Sequence, residues 1–302
     1  MVTRHFITLF VLAALWGASF LFMRVASPAL GPVVLIDLRV LIAGLVLVVY
    51  AGITRRRPVS WRKWPQYLLL GILNAAIPFS LIAAAELTLD ASVAAILNAL
   101  TPLFTAVIAH VWTHDRLTKH KLGALALGVV GVGVLVGGNA HLPIARMFIA
   151  VGLSLGAACC YGIGGVFASL ALKNEEPLTL AIGQQLAAGL VLLPLAVFLL
   201  PHAVPAPTVM AAVLGLALLS TSLAYLLYFH LMRSIGPVKT LSVTFLVPVF
   251  GVLWGRIFLH EPLSASMLGG LSVILLSVAV VTDVPTRWRR TGLPDRSGMR
   301  SD

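Results

Sequence analysis

Acidic residues are scarce in this chain: 10 Asp and Glu stand among 302 residues, and all charged types together make up only 10%. With 60% hydrophobic residues and a mean hydropathy of +1.03, that scarcity excludes a large soluble domain. Cysteine is almost absent too. Cys159 and Cys160 are neighbours inside an apolar run, a spacing that suits neither a loop-closing disulfide nor a metal site, so both read as small packing residues. No GxxxxGK[ST] loop occurs, and the Gly-rich stretch 128–138 is apolar, which argues against ATP-driven work by this chain alone. No cofactor and no metal are expected.

What the chain has in quantity is apolar length. A helix needs about 20 mainly apolar residues to cross a hydrocarbon core, and such windows follow one another with short polar breaks between them. The reading is an all-α polytopic membrane protein of ten spans: 6–26, 31–52, 66–86, 91–113, 121–138, 147–172, 179–200, 208–232, 236–258 and 264–282. The first, Phe6 to Ala26, has Arg4 before it like a signal peptide, but it is long for a signal core and Pro28 follows closely, so a first transmembrane helix is expected.

The net charge of +11 is a matter of topology rather than of nucleic acid. With the N-terminus inside, cytoplasmic segments would hold Arg4, Arg55, Arg56, Arg57, Arg62, Lys63, Arg116, Lys119, Lys121, Lys173, Arg233, Lys239 and the five arginines after residue 284. Only Arg146 would face outward, and Arg24, Arg39 and Arg256 lie within spans. A cell inner (plasma) membrane protein with both termini cytoplasmic is expected.

Part of the sequence is written twice. "LTPLFTAVIAHVWTHDRLT" (100–118) recurs as "LVPVFGVLWGRIFLHEPLS" (246–264), with Pro102/Pro248, Phe104/Phe250 and His114/His260 identical and Asp115/Glu261 conserved in chemistry. "LWGASFLFMRVA" (15–26) lies over "CYGIGGVFASLA" (160–171), Pro32 over Pro177, and "AGLVL" (43–47) recurs verbatim at 188–192. The expected domains are a first five-helix repeat at 1–146, a second at 147–283 and a basic tail at 284–302. Five is odd, so the second half must be inverted, and an inverted pair can form two similar gates around one midplane site.

The stretches "LWGASF" with Arg24, "LRVLIAGLVL", "ASVAAILNALTPLFTA" and "HDRLT", with weaker second-half copies, resemble the drug/metabolite transporter superfamily and its ten-helix EamA-type members over about residues 6–282. The resemblance implies a secondary transporter, often an exporter of amino acids, other metabolites or drugs. The family often has Gly-Glu-Arg where this chain has His114-Asp115-Arg116 and His260-Glu261-Pro262, a departure at both turns.

Charged groups in hydrocarbon usually face a partner or a wet cavity. Arg24, Asp37, Arg39 and Glu86 are the candidates for ion pairing or proton coupling, and Asp37 and Arg39 are about 200° apart on a helix, so they face different ways. One arginine would hold an acid; the other would meet an anionic solute group such as a carboxylate. Substrate-binding candidates are the repeat-related pairs Trp16/Tyr161 and Arg39/Gln184, joined by Asn98. Trp16 and Tyr161 can equally be packing residues. Gly133/Gly137 and Gly152/Gly156 have the small-xxx-small spacing of close helix packing, or of a homodimer contact. The partners expected are a small-molecule substrate and membrane lipid. An intramembrane enzyme and a narrow solute channel remain as alternatives. The former would need a convergent constellation, whereas the acidic and His groups are scattered over both membrane faces.

Overall fold

The computed structural model describes residues 2–55, 61–114, 117–137 and 143–282; Arg56, Arg57, Asp115, Arg116 and the basic tail lie outside the described residues. Ten apolar helices run in order: α1 Arg4–Leu30, α2 Pro32–Ile53, α3 Trp64–Ala85, α4 Ala91–Thr113, α5 Lys119–Gly137, α6 Ile144–Ala171, α7 Pro177–Phe198, α8 Pro207–Ile235, α9 Val243–Phe258 and α10 Ala265–Val281. Among the described residues there is no strand. The first eight are long and apolar enough to cross a membrane; α9 and α10 are shorter apolar helices. Large apolar side chains such as Ile53, Val129, Phe148 and Phe198 are exposed on the outside of the bundle, as a lipid-facing surface requires.

The two halves pack on each other by reciprocal contacts. Helix α1 lies against α9 as α6 lies against α4, while α2 crosses α7 and α5 crosses α10. A Cβ added at Gly17 would sit 2.7 Å from Phe250 Cβ; one added at Gly162, its repeat partner, would sit 3.0 Å from the backbone of Thr105 and 3.1 Å from that of Phe104, the partner of Phe250. Gly44 similarly faces Leu186 at 2.8 Å, and Gly189 faces Leu41. Gly131 meets Ile274 and Gly128 meets Ser277, the same exchange within α5 and α10. Each pair turns into the other when the halves are swapped, so the repeated glycines mark an inverted repeat in three dimensions. Chain crossings put the start of α1 and the end of α10 on one side, the terminal face, and residues 86–90 and 259–264 on the far face.

Two sequence expectations need correction. Gly133, Gly137 and Gly152 have nothing within 4 Å of an added Cβ, so the close helix packing falls to Gly128, Gly131 and Gly270 instead. The ninth span begins at Val243 rather than 236: Gly236 takes φ +80° and stops α8, one turn follows at Pro237–Thr240, and the chain breaks at Leu241–Ser242 before the helix resumes. The repeat-related prolines act unequally. Pro248 stays inside α9, but α4 is split at Ala99–Leu100, and Pro102 is second in its second segment, Thr101–Thr113. A proline at 102 cannot donate to the Asn98 carbonyl four residues back, and the Thr101 hydroxyl donates there instead at 2.8 Å.

Repeat-related wide turns interrupt two helices. Five residues of α3, Ile72–Ala76, and nine of α8, Gly215–Leu223, are π-helical. In α8 the hydroxyls of Thr221 and Ser222 donate to carbonyls five residues back, Leu216 at 2.8 Å and Ala217 at 2.9 Å. A π turn re-aims side chains on an otherwise regular helix, and such turns are frequent at functional sites.

Candidate functional site

Arg39 lies seven residues into α2, about 10 Å below its far end at 1.5 Å per residue. It is 4% exposed. Its Nε donates to Thr221 Oγ1 at 3.0 Å, an Nη points to Met23 Sδ at 3.7 Å, and the guanidinium carbon stands 3.6 Å over the centre of the Phe79 ring. The π turn of α8 supplies the hydroxyl that receives Nε. Phe79 in turn meets Tyr161 edge-on with ring centres 6.1 Å apart.

Gln184, the repeat partner of Arg39, also ends on α8. Its Nε2 donates to the Tyr225 hydroxyl at 2.5 Å. Thr221 and Tyr225 are four residues apart and therefore share a face of α8, about 6 Å apart along it. Tyr225 stacks on Phe229 at 5.7 Å, Phe229 meets Tyr228 at 5.9 Å, and Tyr228 packs against Trp16 at 5.5 Å. The expected residues Trp16, Arg39, Tyr161 and Gln184 thus reach one continuous set of contacts, but the element that gathers them is α8, whose Thr221, Tyr225 and Tyr228 sequence reasoning passed over. Phe79 was missed as well. The hydroxyl pair and aromatic cluster within an apolar span were the available signal.

The charge of Arg39 is only partly answered. No carboxylate is within 4.0 Å of it among the described residues, where ion pairs are confined to Lys63–Glu175 at 2.5 Å and Arg233–Glu176 at 3.6 Å. A stacked aromatic ring contributes up to about 2 kcal/mol and a hydrogen bond to a charged group about 1.5–3 kcal/mol, against a desolvation cost of several kcal/mol for a buried ion.

The other candidates make no hydrogen bond to this cluster. Asn98 is at the break of α4, its side-chain oxygen buried without a partner. Asp37 is buried on α2, with Oδ1 likewise unpartnered. Arg24 donates to the backbone carbonyl of Glu86, not to its carboxylate, whose two oxygens are fully buried and have no hydrogen-bond partner. Among the described residues no arginine forms a direct ion pair with Asp37 or Glu86, but the buried Glu86 carboxylate still feels the charges of Arg24 and, more weakly, Arg39.

A second arrangement, at the far face, was not anticipated. The chain turns at His260 with φ +56°, as it does at its repeat partner His114, and this left-handed residue swings Glu261 back against α4. Glu261 Oε1 accepts from the Ala91 backbone N–H at 2.8 Å; Oε2 accepts from the Ser92 N–H at 3.0 Å and from the Ser92 hydroxyl. An acid from the second half thereby caps the N-terminus of a first-half helix, where unpaired N–H groups and the helix dipole favour negative charge. The first segment of α4 packs on α9 here, whereas the segment Thr101–Thr113 packs chiefly on α6.

Among the described residues no group of three or more His, Cys, Asp or Glu could hold a metal ion. The chain matches the EamA-like transporter family over residues 4–137 and again over 148–283. It is 28% identical over 287 residues to the uncharacterized transporter YvbV of Bacillus subtilis, covering 92% of each chain. It is also 28% identical to protein PecM of Dickeya dadantii, covering 93% of each, and 27% identical to the uncharacterized inner membrane transporter YedA of Escherichia coli K12, covering 91% of this chain and 89% of that one. A crystal structure with 21% identity superposes with a TM-score of 0.65 over 95% of this chain and 99% of its own, a likeness of fold. The chain belongs to the EamA-like transporter family.

Proposed function

We propose that this multi-pass membrane transporter is a secondary exporter of a small organic solute that works by alternating access from the inner membrane, with both termini in the cytoplasm. The observation that carries the reading is the meeting of the repeats: Arg39 and Gln184, equivalent under inversion, both bond to one face of α8. Inverted repeats commonly hold solute near the midplane at such a junction. The unequal packing of α4 on α9 supports a far gate that is closed while the terminal side is open. Transporter-named relatives support the class; export as the direction follows from the family resemblance, and cytoplasmic termini from the basic terminal-face loops.

The test has two parts. Cysteines at Asn174 and Val204, both exposed, should label from opposite sides of the membrane, with Asn174 cytoplasmic. Cross-links holding the far ends of α4 and α9 together, and separately the terminal ends of the same repeat-related pair, should each abolish flux in liposomes without unfolding the protein. Undiminished flux through both trapped forms would turn the reading into a channel, and hydrolysis of a supplied solute without flux would turn it into an enzyme.

A further inference from the structure

We propose that Arg39 is the docking group for the acid of an organic monoanion, so that the solute carries one carboxylate-like group on an apolar or aromatic body. This deepens the transport reading above and rests on it. The guanidinium is nearly inaccessible, yet its contacts are a hydroxyl, a thioether and an aromatic ring, all neutral. Each of these fixes the orientation of the group without cancelling its charge. The buried Glu86 carboxylate interacts with this charge through space but makes no ion pair with it, so the guanidinium keeps only neutral direct partners. A buried cation so placed in hydrocarbon has a directly bound counter-ion as its most stabilising addition, and the planar fork of an arginine matches a carboxylate better than a point charge does.

The neighbourhood limits what that anion can be attached to. Phe79 and Tyr161 offer ring surface beside the guanidinium, and Tyr225 and Gln184 supply neutral hydrogen-bonding groups one helical turn further along α8. The second half repeats the position of Arg39 with an uncharged amide. One anionic group and a neutral remainder therefore fit, while a cationic solute would meet repulsion at Arg39. Inorganic chloride shares the anionic chemistry and would occupy the guanidinium without using the rings.

The experiment uses the full-length protein and matched solutes that differ in one group: 3-phenylpropionate, 3-phenylpropanamide and 3-phenylpropylamine, with the butanoate, butanamide and butylamine set beside them. Binding is read by ligand-induced melting shift in chloride-free buffer, and transport by counterflow in liposomes. The acids should bind at least tenfold more tightly than their amides and amines, with the phenyl acid ahead of butanoate. Arg39→Gln should erase the acid preference, and Arg39→Lys should keep part of it. Since Arg39→Gln could fail to fold, the acid-to-amide ratio of the unaltered protein stands as the primary readout. Transport of amides or amines at least as good as that of the acids would overturn the anion assignment while leaving the transport reading intact. A melting shift given by chloride alone, with no added effect of either acid, would assign the site to an inorganic ion and overturn the proposal. Absence of flux for both sets, with the folded protein binding none of them, would remove the inference along with the transport reading on which it rests.

Discussion

Gly17 meets Phe250 much as Gly162 meets Phe104 and Thr105, and Gly44 meets Leu186 as Gly189 meets Leu41, yet Arg39 on one side of the same symmetry faces Gln184 on the other. Helix packing has been kept in duplicate while the polar groups at the junction have diverged. The difference is physically sensible. Close approach of two helices requires a missing Cβ wherever the crossing recurs, whereas a polar junction shared by both halves need not carry its charge twice. The two faces differ as well: on the far one Glu261 caps the α4 N-terminus, and α4 is broken at its middle while the break at Leu241–Ser242 precedes α9.

The sharpest way to break the comparison is at Glu261. Replacing it by Ala strands the N–H groups of Ala91 and Ser92, which lose a charged acceptor in a buried setting. Hydrogen bonds to charged groups contribute about 1.5–3 kcal/mol each, so a loss of about 3 kcal/mol is expected for Glu261→Ala and a smaller one for Glu261→Gln, which keeps an acceptor. Thermal melting of the purified protein measures this. Cysteines placed on the far ends of α4 and α9 should also become more reactive from the far face. Unchanged melting and reactivity would mean that the cap neither stabilises nor latches.

The glycine pairs sharpen the comparison at intermediate magnitude. Ala at Gly17 would bring Cβ to 2.7 Å from Phe250 Cβ and 2.9 Å from backbone, and Ala at Gly162 would come to 3.0 Å from backbone; neither backbone can yield cheaply. Overpacking of this kind costs about 1–3 kcal/mol, and the two variants should agree within about 1 kcal/mol. Gly44→Ala and Gly189→Ala press on leucine side chains that can rotate, so both should cost less than the first pair. A large effect at Gly17 with none at Gly162 would show that the halves pack independently of the repeat.

The duplicated phrases made the ten helices, their order and the inversion legible, because apolar length and repeated glycine and proline positions are local properties of the chain. Trp16, Arg39, Tyr161 and Gln184 could be nominated for the same reason. Which element would gather them could not, since the π turn of α8 depends on the hydroxyls of Thr221 and Ser222 bonding five residues back, and the same hydroxyls in an apolar span are equally compatible with an ordinary α turn. The cap by Glu261 was hidden for another reason. Ala91 and Glu261 are far apart in sequence, and the repeat aligned Glu261 with Asp115 without showing that the acid reaches the opposite half.

The smallest expected effect lies on the terminal face, at a clamp that has no counterpart in the far-face cap. Glu175, in the turn between α6 and α7, accepts from Lys63 Nζ at 2.5 Å and from the Tyr67 hydroxyl at 2.8 Å, tying the start of α3 to the second half. The hydrogen bond from Lys63 holds its carboxyl below the ordinary carboxylate range, with burial acting in the opposite sense and the Tyr67 hydroxyl adding to the lowering. A depressed folded-state pKa means that the ionised form is the one stabilised by folding. The contribution is therefore full at neutral pH, begins to fall as the pH drops below the ordinary value of 4.5 and is gone below the depressed one. Lys63 is more than a third exposed, and screened pairs of this kind contribute about 0–1 kcal/mol. Glu175→Gln should accordingly lower the melting temperature slightly at pH 7, and the gap from the unaltered protein should close progressively as the pH falls below 4.5. Added salt should narrow the same gap at pH 7 while leaving the larger Glu261→Ala loss in place, because a buried cap is screened far less than a surface clamp. If salt reduced both losses equally, the two faces would be held by the same kind of contact, and the contrast between them would fail.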